Sequence, residues 1–101
     1  MKTLHLVLKS KWYDKIASGE KTSEYRECKP YWNKRLAAET VFAGTACVRD
    51  LTRPRYDTVI FHKGYTAETM EFEIQNIGIT TGPNDLNLPK CWEIQLGQRI
   101  A

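Results

Sequence analysis

The chain has 101 residues, 42% hydrophobic and 27% charged, with fifteen Lys and Arg against twelve Asp and Glu for a formal net charge of +3. That length is short for two independent cores, no Pro/Gly/Ser-rich stretch marks a linker, and the composition is that of an ordinary globular domain. A single domain over residues 1–101 is expected. That net charge alone is too weak to announce a nucleic-acid binder, and the scattered Cys28, Cys47 and Cys91 give neither a disulfide framework nor a zinc site.

No apolar run approaches the roughly 20 residues that cross a bilayer, and residues 1–8 lack the pattern of a secretion signal. The expectation is a cytoplasmic protein without a metal or cofactor and with no membrane partner.

Leu4, Leu6 and Leu8 alternate with His5, Val7 and Lys9, the period of a strand with one apolar face, reaching about Lys9. Ser10 can cap the helix that follows. Trp12, Tyr13, Ile16 and Ala17 form its apolar stripe, and Gly19 suits the left-handed position that ends it. From Thr22 to Cys28 the pattern is again that of a strand, but neither face is apolar. Pro30 fits the first position of a short second helix carrying Tyr31, Trp32, Arg35 and Leu36.

Thr40 to Val48, around Gly44, reads as strand, bulge or crossing loop. Arg49, Arg53 and Arg55 then form a basic patch, read with Pro54 as a loop. Tyr56 to His62 is a strand ended by Lys63-Gly64, and Met70, Phe72 and Ile74 mark another. Apolar parity then shifts to Ile77 and Ile79, which predicts a β-bulge near Gln75 and Asn76. Residues 82–89 form a loop, and Trp92, Ile94 and Leu96 mark the last strand. These elements predict an α+β fold: a small, mostly antiparallel bent β-barrel with an N-terminal helix and a second short helix.

The chemistry-bearing residues cluster in the first third of the chain. Lys21, Arg26, Lys29, Lys34 and Arg35 face only Glu24 and Glu27 in sequence, so that window carries three net positive charges. Glu24 and Arg26 share a strand face with Thr22, and Lys21 sits at the helix-to-strand junction. Such a set offers fixed donors and acceptors to the edge of a base, or forms a cross-strand ion pair. Lys29, Tyr31, Trp32, Lys34 and Arg35 interleave cations with aromatic rings, as on surfaces that stack bases and track phosphates, although Trp32 equally suits a core anchor.

The candidate ligand contacts are therefore Lys21, Thr22, Glu24, Arg26, Lys29, Tyr31 and Arg35. His5 and His62 lie on strands without a nucleophile beside them and read as structural. Lys21 with Glu24 forms the candidate catalytic pair if the chain is an enzyme. A protein-interaction role for the same barrel is a further alternative.

The run Trp12 to Arg26, W-Y-D-K-I-A-S-G-E-K-T-S-E-Y-R, resembles the signature of the ASCH domain family, a helix ending in G-x-K-T followed by a polar strand. The segments K-P-Y-W-N-K-R-L, F-H-K-G-Y and C-W-E-I-Q-L extend that resemblance, to small stand-alone bacterial and phage members, over most of the chain. The resemblance implies a PUA-like bent barrel, a cleft beside the first helix, and an RNA, nucleotide or nucleoside ligand held at Gly19, Lys21, Thr22, Glu24 and Arg26. One branch removes the acetyl group of N4-acetylcytidine with a lysine, a threonine three residues later and a distant glutamate. Lys21 matches that lysine, Glu24 stands at the threonine position, and no motif places the glutamate. Other members are linked to RNA cleavage.

Overall fold

The alternating leucines of the N-terminus form β1, Thr3–Leu8, with Leu4, Leu6 and Leu8 buried and His5 and Val7 outside. The computed structural model describes residues 2–37, 39–42, 50–53 and 56–101. Helix α1 spans Ser10–Ala17 and buries Tyr13 and Ile16, three residues apart on one face. Two local expectations are corrected. Ser10 is the first helical residue rather than the cap, since Lys9 occupies the cap position with no side-chain hydrogen bond. Ala17 is exposed, outside the buried face. Gly19 has φ of 84°, the left-handed turn that delivers the chain from α1 to β2.

Strand β2 is Ser23–Glu27, and α2 is Pro30–Leu36, opened by its proline and anchored by buried Leu36. The hairpin β3, Glu39–Phe42, with β4, Asp50–Arg53, forms a separate two-stranded sheet. Of the basic patch expected in a loop, Arg53 ends β4. Arg49, Pro54, Arg55 and most of the Thr40–Val48 segment lie outside the described residues.

Strands β5, Thr58–Lys63, β6, Thr69–Thr80, and β7, Cys91–Arg99, complete the main sheet in the order β1-β5-β6-β7-β2. The β1–β5 pair is parallel and the other three are antiparallel. The expected bulge is present, with the β6–β7 register slipping between Phe72 and Ile74 and between Ile74 and Asn76. It bends β6 where its apolar parity changes.

The five strands curl into a half-barrel whose two edges are β1 and β2. Its concave face holds Leu4, Leu6, Val59, Phe61, Met70, Phe72, Ile94 and Leu96, covered by Tyr13, Ile16 and Leu36 from the helices. Burying each large apolar side chain contributes about 1.5–3 kcal/mol, so this layer is the main source of stability. No helix among the described residues is long and apolar enough to cross a membrane.

Candidate functional site

Glu24 pairs with Ile94 and Arg26 with Trp92 across the β2–β7 ladder. Directly opposed residues of a ladder point to the same side of a sheet, so the core face continues from β7 onto β2 as a carboxylate and a guanidinium. This explains why the sequence of β2 shows no apolar face. Its inward side carries the polar cluster, at an edge that no strand covers among the described residues.

Glu24 is 3% exposed, almost as sequestered as the leucines. Its two oxygens are divided between two cations: Oε1 is 3.0 Å from Lys21 Nζ and Oε2 is 2.7 Å from Arg26 Nη1. Lys21 Nζ also donates to Asp85 Oδ2, and lies 4.7 Å from the Trp12 ring centroid and 5.4 Å from that of Tyr25. A buried carboxylate is tolerated only when its lone pairs are taken by donors, and the two cations supply them. Burial first, and then the nearby Glu93 and Asp85 carboxylates, raise the Tyr25 hydroxyl above its ordinary value, with Lys21 opposing. It remains a neutral donor at neutral pH.

Asp85 belongs to the loop before β7, and its placement follows from the residue before it. The Asn84 amide donates to the carbonyls of Gly82 at 3.0 Å and Leu88 at 2.8 Å, while its Oδ1 accepts from the amides of Leu86 and Leu88, each at 3.1 Å. One side chain thus satisfies four backbone groups and presents Asp85 and Leu86 toward β2.

At the other end of the site, Trp32 lies beside two guanidinium groups. The Arg26 and Arg35 carbons are 5.2 and 5.8 Å from its ring centroid, and Tyr31 meets its edge at 4.8 Å. Arg35 donates to the Tyr31 hydroxyl at 2.8 Å. The Trp92 indole donates to Asn33 Oδ1 at 2.8 Å and ties α2 to β7. The Nε atoms of both Arg26 and Arg35 are covered yet have no acceptor, so the donors of these cations are incompletely used by the described residues.

A cleft runs between the two open edges. One part, about 490 Å³, is lined by His5, Arg26, Tyr31, Trp32 and Arg35 among others. The second, about 280 Å³, is lined by Lys9, Trp12, Lys21, Glu24 and Asp85 among others. Val7, Tyr25, Arg26 and Leu86 line both, which makes them two chambers joined at a waist. Chambers of this size suit a small organic ligand, and the arrangement of apolar walls with a few convergent polar groups is typical of such sites.

Of the residues singled out in sequence, Lys21, Glu24, Arg26, Tyr31 and Arg35 meet at this cleft. Thr22 lines a neighbouring depression of about 390 Å³ with Lys15, Glu20 and Glu93. Lys29 lies outside the lining, 65% exposed and 3.3 Å from Glu27. His5 and His62, read as structural, bond to each other through Nδ1 and Nε2 at 3.0 Å, and His5 also borders the cleft.

Sequence reasoning missed Asp85, Trp12, Tyr25, Val7 and Leu86 as lining residues. Only Asn84-Asp85, a pair suited to turns, carried a usable signal. Among the described residues no group of three or more His, Cys, Asp or Glu is placed to hold a metal ion. Comparison with protein-family models, with curated proteins and with solved structures gave no match.

Proposed function

We propose that the chain is a nucleotide- or RNA-binding domain of the ASCH kind, within the PUA-like group, with its ligand in the cleft between β1 and β2. The observation that carries this reading is the union in one cleft of a sequestered carboxylate with arginine and aromatic side chains. Glu24 can accept from the amino group of a base, because each carboxylate oxygen has a second lone pair beyond the one its cation occupies. Tyr31 and Trp32 offer rings for stacking, and Arg35 offers charge to phosphate. A core ion pair alone would not require the aromatic and cationic chamber beside it.

The test is equilibrium binding of a short mixed-sequence RNA and of mononucleotides, followed by tryptophan fluorescence at low and moderate salt. Binding that weakens with salt, and weakens further in Arg26→Glu and Arg35→Glu proteins that melt normally, supports the proposal. Unchanged binding in both variants rejects the cleft as the site.

A second reading, hydrolysis of a modified nucleoside such as N4-acetylcytidine or of RNA, is favoured by one observation. Lys21 is held between Glu24 and Asp85, a late-loop carboxylate. Both contacts call for an ammonium, so Lys21 would act as a proton donor and a carboxylate as the base toward water. No Ser or Thr hydroxyl among the described residues hydrogen-bonds to Lys21 or Glu24. Product formation from N4-acetylcytidine that disappears in Lys21→Ala would support it, and equal traces from both proteins would remove that activity.

A further inference from the structure

The two chambers differ in charge. In the smaller one, Lys21 and Arg26 are matched by Glu24 and Asp85, so this inner cluster is balanced within itself, while exposed Lys9 also lines the chamber. In the larger one, Glu27 is already paired with Lys29, and no carboxylate among the described residues pairs with Arg35. Among the described residues its guanidinium makes a single hydrogen bond, to the Tyr31 hydroxyl, and its Nε has no acceptor. The cleft therefore runs from an end whose inner cations are compensated to an end where Arg35 is not.

The waist between them is apolar on both sides: Val7 is 57% and Leu86 is 38% exposed, and each lines both chambers. Exposed aliphatic side chains facing one gap suit a planar ring between them. The contact of Lys21 with Asp85, backed by Trp12, stands in the wall of the compensated end, which disfavours a strand threading through.

Taking the nucleotide reading above as its basis, we propose that the ligand is a nucleotide bearing a terminal phosphomonoester, seated in one direction. The base lies at the Val7–Leu86 waist with its polar edge toward Glu24 and Arg26, and the phosphate lies at Arg35. Phosphomonoesters carry between one and two negative charges at neutral pH and offer three acceptor oxygens, matching the free charge and free donors of that end. The same group occurs on free mononucleotides and on 5′-phosphorylated RNA ends.

The experiment compares binding of CMP and AMP with cytidine and adenosine, of a short RNA with a 5′-phosphate against the same RNA with a 5′-hydroxyl, and of inorganic phosphate alone. Each is measured on the intact chain and on Arg35→Gln and Arg35→Lys proteins whose melting is checked first.

The expected result is about tenfold or more preference for the phosphorylated member of each pair, the yield of one charge-assisted contact, falling to within about twofold in Arg35→Gln and partly kept in Arg35→Lys. A preference confined to mononucleotides assigns the seat to free nucleotides, and one shared by the RNA pair assigns it to phosphorylated ends as well. Nucleosides and 5′-hydroxyl RNA binding as tightly as their phosphorylated forms would overturn the phosphate seat while leaving the nucleotide cleft standing. Inorganic phosphate binding as tightly as CMP would overturn the directed seating. Absence of binding by every nucleoside, nucleotide and RNA would overturn the nucleotide cleft itself.

Discussion

Glu24 Oε2 lies 2.7 Å from Arg26 Nη1, two residues along the same strand, while its other oxygen is 3.0 Å from Lys21 Nζ. Because the carboxylate side chain is only 4% exposed, its charge is supported by these neighbours rather than by water. Removing the charge leaves Lys21 facing Asp85 alone and Arg26 with no carboxylate partner among the described residues. Breaking a buried pair by deleting one partner costs about 3–5 kcal/mol. Arg26 remains 21% exposed, so solvent recovers part of that cost. Glu24→Gln is expected to lower unfolding free energy by about 2–3 kcal/mol, read from the urea midpoint at constant slope. A loss under about 0.5 kcal/mol would mean that water already solvates this carboxylate.

The loop that brings Asp85 to Lys21 depends on one amide side chain. Asn84→Ala removes two donors and two accepted bonds at once, each worth about 0.5–1.5 kcal/mol net, and partial rehydration of the loop offsets some of that loss. The expected outcome is about 1–2 kcal/mol of destabilisation and faster hydrogen exchange at the Leu86 and Leu88 amides. Asn84→Asp keeps the acceptor but loses both amide donors. It should therefore protect those two amides better than alanine does. Equal exchange in the two variants would show that Oδ1 does not hold the loop.

The strands were legible where one face meets the core, as in Leu4-Leu6-Leu8 and Trp92-Ile94-Leu96, because a two-residue period reports burial directly. The bulge in β6 was legible for the same reason, through the break in parity between Ile74 and Ile77. Pairing order was not: nothing local to β1 shows that it runs parallel to β5, a relation set by packing across 55 residues. At the site, Glu24 and Arg26 are legible from their spacing on one strand, and Lys21 from its place at the helix-to-strand junction. Asp85 comes from 61 residues beyond Glu24, and Val7 and Leu86 are aliphatic residues whose role depends only on which edges face each other. Lys29 shows the converse limit. Its charge and neighbours suggested the cleft, yet the bend before α2 turns it toward Glu27 and solvent.

Gly19 sets the turn that places Lys21. At φ of 84°, with no atom within 4 Å of an added Cβ, the cost of a side chain there is entirely one of backbone conformation. Gly19→Ala should destabilise by about 1 kcal/mol, and Gly19→Asn by less, since asparagine tolerates the left-handed region better. Thermal melts of the two variants give the comparison. Equal stability of alanine and glycine at this position would mean that the turn relaxes to another conformation.

Three acids, buried Cys91 and Tyr13 and half-buried Tyr25, predict how the fold responds to alkali. The Cys91 thiol is pushed above its ordinary 9.0 by burial and by nearby Cys28 and Glu93. The Tyr13 hydroxyl is pushed above 10.0 by burial and then by Glu68, and that of Tyr25 above 10.0 by burial and then by Glu93 and Asp85. In each case the folded protein holds its proton more tightly than the unfolded chain. The stabilisation is complete below the unfolded values and is lost as pH rises through the folded ones. Lys63, raised by its hydrogen bond to Asp14, acts in the same direction. The urea midpoint should therefore hold from about pH 7 to about pH 8.5 and fall steadily by about pH 10.5. Tyr13→Phe removes one of these protons and should flatten the alkaline fall. A midpoint that rises above pH 9, or a Tyr13→Phe curve parallel to that of the parent, would contradict the assignment of this pH dependence to the buried phenol.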